Sequence, residues 1–156
     1  MRQFIVAAAF LTLAACNGGG GKASDVSQDE AKAAVDGLYK SFASGDSAQM
    51  MAHYAPGAVV IDAGHLQPTV DRQLQTQWTA QFATMHPSDF LTSDLTITPM
   101  GPDSFVATGL SSFTADVGQG RDVLHVRFMQ AFRKQADGQW QVVAEHISMP
   151  PPGPAQ

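Results

Sequence analysis

The feature that most constrains this fold is a change of period at Pro87. Ahead of it apolar residues recur at helical spacing, and beyond it they alternate, so the chain divides into a helical half and a strand half. Ser27 followed by Glu30 is the signature of a capping box, and Ala31, Ala34, Val35, Leu38, Tyr39 and Phe42 then form one buried stripe. Gly45 ends this helix. Asp46 is expected to start a short second helix running through Met50, Met51 and Tyr54, with Pro56-Gly57 as its stop. A brief strand from Ala58 to Asp62 leads into a Gly-containing turn. Pro68 is expected to open a third helix with the stripe Val70, Leu74, Trp78, Phe82 and Met85. Past Pro87, residues 91–98, 104–115, 121–134 and 139–148 read as strands separated by Gly-Pro-Asp, Gly-Gln-Gly and Asp-Gly turns. Three helices ahead of a strand meander predict an α+β fold, with the helices packed on one face of a curved antiparallel sheet.

The N-terminus has a different logic. Arg2, the apolar run from Phe4 to Leu13 and the small residues Ala14-Ala15 have the order of an export signal, and the run is far shorter than the roughly 20 residues needed to span a bilayer. Leu13-Ala14-Ala15-Cys16 resembles the lipobox of bacterial lipoproteins. The resemblance implies removal of residues 1–15 and lipidation of Cys16, the only cysteine of the chain. Asn17 is not the aspartate that retains such proteins at the inner membrane, so attachment to the outer membrane, facing the periplasm, is implied. Residues 16–27 then form a Gly-rich tether, residues 28–149 one domain, and residues 150–156 a Pro-rich tail.

Composition excludes several function classes. Once Arg2 leaves with the signal, 14 Asp and Glu stand against the remaining Lys and Arg, and no basic cluster interrupts them. Nucleic acid is therefore not an expected partner, and the membrane is one only through the lipid anchor. The five histidines, at 53, 65, 86, 125 and 146, show no metal-ligand spacing. No Gly-x-Ser-x-Gly motif or phosphate-binding loop occurs. Neither a metal nor a cofactor is expected, and any catalysis would be acid–base chemistry.

Four segments, in order, carry a resemblance that covers about residues 28 to 149: Phe42-Ala43-Ser44-Gly45-Asp46, Tyr54 to Val60, Arg127-Phe128 with Phe132, and Asp137 to Ser148. Together they resemble the SnoaL-like branch of the NTF2-like superfamily. That resemblance implies a cone, with helices closing over a bent sheet around a ligand pocket. Some members are enzymes, such as ketosteroid isomerase and polyketide cyclases, and many others bind or assemble, so fold alone leaves function open.

Set against ketosteroid isomerase, the resemblance puts Asp62 at the general base, Leu38 at the first-helix tyrosine that donates to the oxyanion, and Gln130 at the second donor. Tyr39 lies one residue late, about 100° around the helix. The main oxyanion donor is thus expected to be missing. Strand alternation adds Leu124, Val126, Phe128 and Phe132 to the face that Gln130 occupies, with His125, Arg127 and Arg133 opposite. The family register places Val143, Glu145 and Ile147 inside and Trp140, Val142, Ala144 and His146 outside, an order that a one-residue bulge would reverse. Asp62 also has an ordinary role open to it, holding the turn at Ala63-Gly64-His65. Glu145 would be a solvated strand residue if the sheet edge were open, and Trp78 suits either core or ligand wall.

These readings predict a small, mostly apolar ligand lined by Leu38, Trp78, Phe82, Phe128, Gln130, Glu145 and Ile147. Asp62 is the candidate base should the domain be an acid–base isomerase, cyclase or hydrolase. A structural or assembly module is the remaining alternative. A homodimer is expected through the outer sheet face, assigned to His125, Arg127, Met129, Trp140, Val142 and His146.

Overall fold

The computed structural model describes residues 24–150, so the lipobox, most of the tether and the end of the Pro-rich tail lie outside the described residues. Helix α1 (Gln28–Ala43) starts where its sequence says it should, with the Ser27 hydroxyl accepting from the Glu30 amide at 3.2 Å. The reciprocal half of the capping box is not made. The Glu30 carboxylate instead accepts from Lys134 Nζ at 2.8 Å and from Trp140 Nε1 at 3.0 Å, tying the start of α1 to the last hairpin.

Helix α2 (Ser47–Ala52) is capped by Asp46, whose carboxylate accepts from the amides of Ala48 and Gln49. It ends before Tyr54, which opens strand β1 (Tyr54–Ile61). Pro56-Gly57 therefore kinks a strand and does not stop a helix. Gly57 at φ +76° supplies the left-handed backbone, and the pairing register shifts between Tyr54 and Val59. Proline is tolerated because β1 is an edge strand.

Helix α3 (Arg72–Ala83) begins later than Pro68, at an Asp71 cap that accepts from Gln73 and Leu74. The intervening segment is held by a two-bond bridge between Val60 and Thr69, and Val70 is exposed outside the helix. The buried residue of α3 is polar: Gln75 Nε2 donates to the carbonyl of Ala58 at 2.7 Å and to that of Thr69 at 3.2 Å. At its first position, the Arg72 guanidinium donates to the carbonyls of Met51 and Tyr54 and pins the α2–β1 junction.

Strands β2 (Ser88–Pro99), β3 (Ser104–Asp116), β4 (Arg121–Lys134) and β5 (Trp140–Ser148) form the expected antiparallel meander. The five-stranded sheet has the order β1-β5-β4-β3-β2, and β1 pairs with β5 in parallel. The sheet is thus mixed, because β1 reaches β5 by a long-range pairing that no local turn encodes. The helices pack on its concave face over a core that includes Val35, Leu38, Met51, Phe105, Phe132 and Val142.

One bulge decides which β5 side chains face that core. Ala131 pairs with Ala144 and Phe132 with Val142, which leaves Val143 as the extra residue. Trp140 and Val142, expected on the outer face, consequently turn inward: Val142 is fully buried and Trp140 packs on Phe105 at 5.0 Å between ring centres. Beyond the bulge the expected phase holds. Glu145 is buried, and His146 is exposed.

Candidate functional site

Between the helices and the inner sheet face lies a cavity of about 360 Å³, within the size range of small-molecule sites. Five of its rings form a closed circuit. Tyr39 meets Phe42 at 5.8 Å, Phe42 meets Phe82 at 6.0 Å, Phe82 meets Phe113 at 5.4 Å, Phe113 meets Phe90 at 5.0 Å, and Phe90 returns to Tyr39 at 6.1 Å. Leu124, Val126, Ile147 and Met85 extend the apolar wall. Aromatic pairs at such separations hold their geometry firmly, so the wall is shaped before any ligand arrives.

Glu145 breaks this apolar surface. Strand alternation after the Val143 bulge aims it inward, directly opposite Gln130 on β4. Its carboxylate accepts from the Tyr54 hydroxyl at 2.8 and 2.9 Å and from Gln130 Nε2 at 2.7 Å. Burial raises its pKa to about 7; the bonds from Gln130 and Tyr54 oppose that rise, and the Asp62 charge adds to it. Burial and the Glu145 charge likewise push the Tyr54 hydroxyl well up.

Next to this group three buried polar atoms have no hydrogen-bond partner: the Tyr39 hydroxyl, Ser111 Oγ and Gln130 Oε1. Tyr39 is pushed up by burial first and by the Glu145 charge second, and polar contacts with Ser111 and Gln130 that are too loose to count as hydrogen bonds partly oppose that rise. Unpaired buried polar atoms are uncommon in native proteins. Tyr39 and Ser111 line the cavity, and Gln130 lies behind its wall.

Asp62 holds the turn after β1 and also faces the cavity. It lines the cavity, and its Oδ1 also accepts from the Gly64 amide at 2.8 Å and bonds His65 Nδ1 at 3.0 Å. The His65 ring lies flat on Trp78, 3.8 Å away and 13° from parallel.

Of the predicted ligand-lining residues, Trp78, Phe82, Glu145 and Ile147 line the cavity with Asp62. Leu38 does not. It belongs to the fully buried stripe with Ala31 and Val35, and Tyr39, one residue further around α1, faces the cavity. A tyrosine hydroxyl is thus present at this wall, contributed from the helical position after Leu38. Phe128 is also core, lying against Tyr39 at 5.5 Å and over Gly109. Gln130 sits behind the wall and acts through Glu145. Tyr54 and Ser111 were not anticipated. Tyr54 had been assigned to a helix, whereas Ser111 was detectable as the polar member of the inward row Phe105, Ala107, Phe113 and Ala115 on β3.

The SnoaL-like domain family matches residues 31–152. The chain belongs to the SnoaL-like family. No curated protein matches it significantly. Among solved structures, a Xanthomonas campestris protein assigned as a calcium/calmodulin-dependent protein kinase II association domain is similar with a TM-score of 0.74 and 24% identity, over 84% of this chain and 95% of that one. An NTF2-like protein of unknown function in nutrient uptake from Rhodospirillum rubrum gives 0.65 and 18%, over 76% and 97%. A ketosteroid isomerase-like protein from Erwinia carotovora gives 0.65 and 15%, over 78% and 94%. At these identities the likeness establishes the NTF2-like cone and nothing about chemistry.

Proposed function

We propose that the domain takes up a small, mostly apolar ligand in this cavity, with a polar head seated at Glu145. The observation that carries the reading is the pair of unpaired buried hydroxyls of Tyr39 and Ser111 on the cavity wall beside a buried carboxyl group. Leaving such atoms unpaired costs about 1–3 kcal/mol each, and a ligand head supplies the missing partners. The aromatic circuit accommodates the apolar body. In the same proposal residues 1–15 direct export and lipidated Cys16 holds the domain at the outer membrane, facing the periplasm. Envelope uptake or sequestration of a sparingly soluble compound suits that setting, and the Rhodospirillum relative's link to nutrient uptake is consistent with it.

A second reading, acid–base catalysis, is favoured by one specific observation. A carboxyl group with a pKa of about 7 beside a tyrosine hydroxyl is poised for proton transfer near neutral pH, with Asp62 as a further carboxylate on the same cavity. The two readings separate on the fate of the ligand. Native mass spectrometry of the purified chain identifies what copurifies, and that compound is incubated with wild type, Asp62→Asn and Glu145→Gln. Recovery of the unchanged compound, with altered affinity in the variants, is expected. Conversion by wild type and not by either variant would overturn binding in favour of an acid–base enzyme using Asp62 or Glu145.

A further inference from the structure

The cavity has an unusual charge inventory for an apolar site. Two carboxylates, Glu145 and Asp62, are on its wall, and no Lys or Arg is among the lining residues. Other titratable groups there are Tyr39 from α1, Tyr54 from β1 and His65 from the segment after β1, while β2, β3, β4 and α3 contribute none. His65 is engaged by Asp62 and not by Glu145. Among the described residues Glu145 therefore has no counter-charge at this wall.

Its hydrogen-bond inventory is equally one-sided. Once ionised, a carboxylate only accepts, and its donors in the fold, the Gln130 amide and the Tyr54 hydroxyl, are both neutral. Tyr54 has already donated its only hydroxyl proton to Glu145. The Tyr39 and Ser111 hydroxyls can accept as well as donate. What is lacking is a donor-rich positive group.

We propose that the cavity selects a ligand with a protonated amine head on an apolar body, the ammonium seated at the Glu145 carboxylate and the body held within the aromatic circuit. This rests on the reading that the cavity binds a ligand, and it names the class. An ammonium has three donors and no acceptor, so it donates to the Glu145 carboxylate and supplies the missing charge. Aromatic rings around a desolvated cation add cation–π attraction. A carboxylate head would meet two like charges, and a neutral carbonyl would bring no donor for Glu145.

The test uses three probes of matched shape, phenylbutylamine, phenylbutanol and phenylbutyrate, titrated calorimetrically into the purified chain. At about pH 8, where Glu145 is ionised, the amine should bind about tenfold or more tighter than the alcohol, with the carboxylate weakest. Below about pH 7 its advantage should shrink, and its binding should release a proton, read by repeating the titration in buffers of different ionisation enthalpy. In Glu145→Gln the amine and alcohol should converge. Equal amine and alcohol affinity at about pH 8 in wild type, or an amine advantage that survives Glu145→Gln, overturns the proposal while leaving ligand binding intact. Failure of all three probes to bind overturns both. Should Glu145→Gln not fold, the wild-type pH comparison decides.

Discussion

Glu145 is the residue at which folding and function pull against each other. In the unfolded chain a glutamate titrates near 4.5, and in the fold burial raises that to about 7. Below about pH 4.5 both states are protonated and the buried group carries no charge penalty. Between the two values the folded state binds the proton and the unfolded state does not, so stability falls as pH rises and the penalty is complete above about pH 7. A difference of this size corresponds to about 3 kcal/mol. Glu145→Gln removes the charge and keeps an acceptor for Tyr54. Its stability relative to wild type should rise by about that amount between about pH 4.5 and pH 8, measured by urea denaturation across pH. A pH-independent difference would mean that Glu145 is not titrating as its burial requires. The register implied by the family resemblance placed Glu145 inside; alternation alone left its face open to a one-residue bulge. The same resemblance lost Tyr39. Assigning its role to the aligned position Leu38 ignored that the buried stripe of α1 already occupied that side of the helix.

At the scale of elements, the closest fit is where β3 crosses Phe128. A Cβ at Gly109 would sit 2.8 Å from Phe128 Cζ and 3.0 Å from the Ser93 carbonyl oxygen on β2. Neither neighbour is free to retreat, since Phe128 is buried against Tyr39 and the Ser93 carbonyl belongs to the backbone of the paired strand. Gly109→Ala should therefore destabilise the domain by about 1–3 kcal/mol through overpacking, seen as a lower urea midpoint with an unchanged slope. A midpoint equal to wild type would show that the two strands separate more easily than this packing implies. Elements closed by local turn chemistry, the three hairpins and the Ser27 and Asp46 caps, were legible in the sequence. Those governed by distant partners were not. Pro56-Gly57 stops a helix in one context and kinks an edge strand in another, and what decides is the parallel pairing of Tyr54–Ile61 with β5, about 90 residues downstream. The Val143 bulge has no glycine or proline to mark it, so the inward turn of Trp140 and Val142 was hidden.

For the whole molecule, two proposals concern its outside: a lipid anchor at Cys16 and a partner on the outer face of the sheet. No helix among the described residues is long and apolar enough to cross a bilayer. If Cys16 is the anchor, Cys16→Ser should move the protein from the membrane to the soluble fraction with its folded domain intact, and continued sedimentation with membranes would remove the lipoprotein reading. The outer sheet face, relieved of Trp140 and Val142 by the bulge, presents His125, Arg127 and His146 around the apolar side chains of Leu110, Val123 and Met129. Met129 is 52% exposed and lies in one row with Thr108 and His146. Apolar side chains gathered on one face of a sheet suit a partner with the same pattern, so a homodimer through this face is proposed. In a two-fold interface each substitution acts twice, which makes a single charge a sensitive probe. Met129→Glu should convert a dimer seen by light scattering at about tens of micromolar into a monomer. It should leave the domain's own stability within about 0.5 kcal/mol, because Met129 contributes nothing to the core. A wild-type monomer at that concentration would sink the dimer. A dimer that persists in Met129→Glu would move the interface to another face.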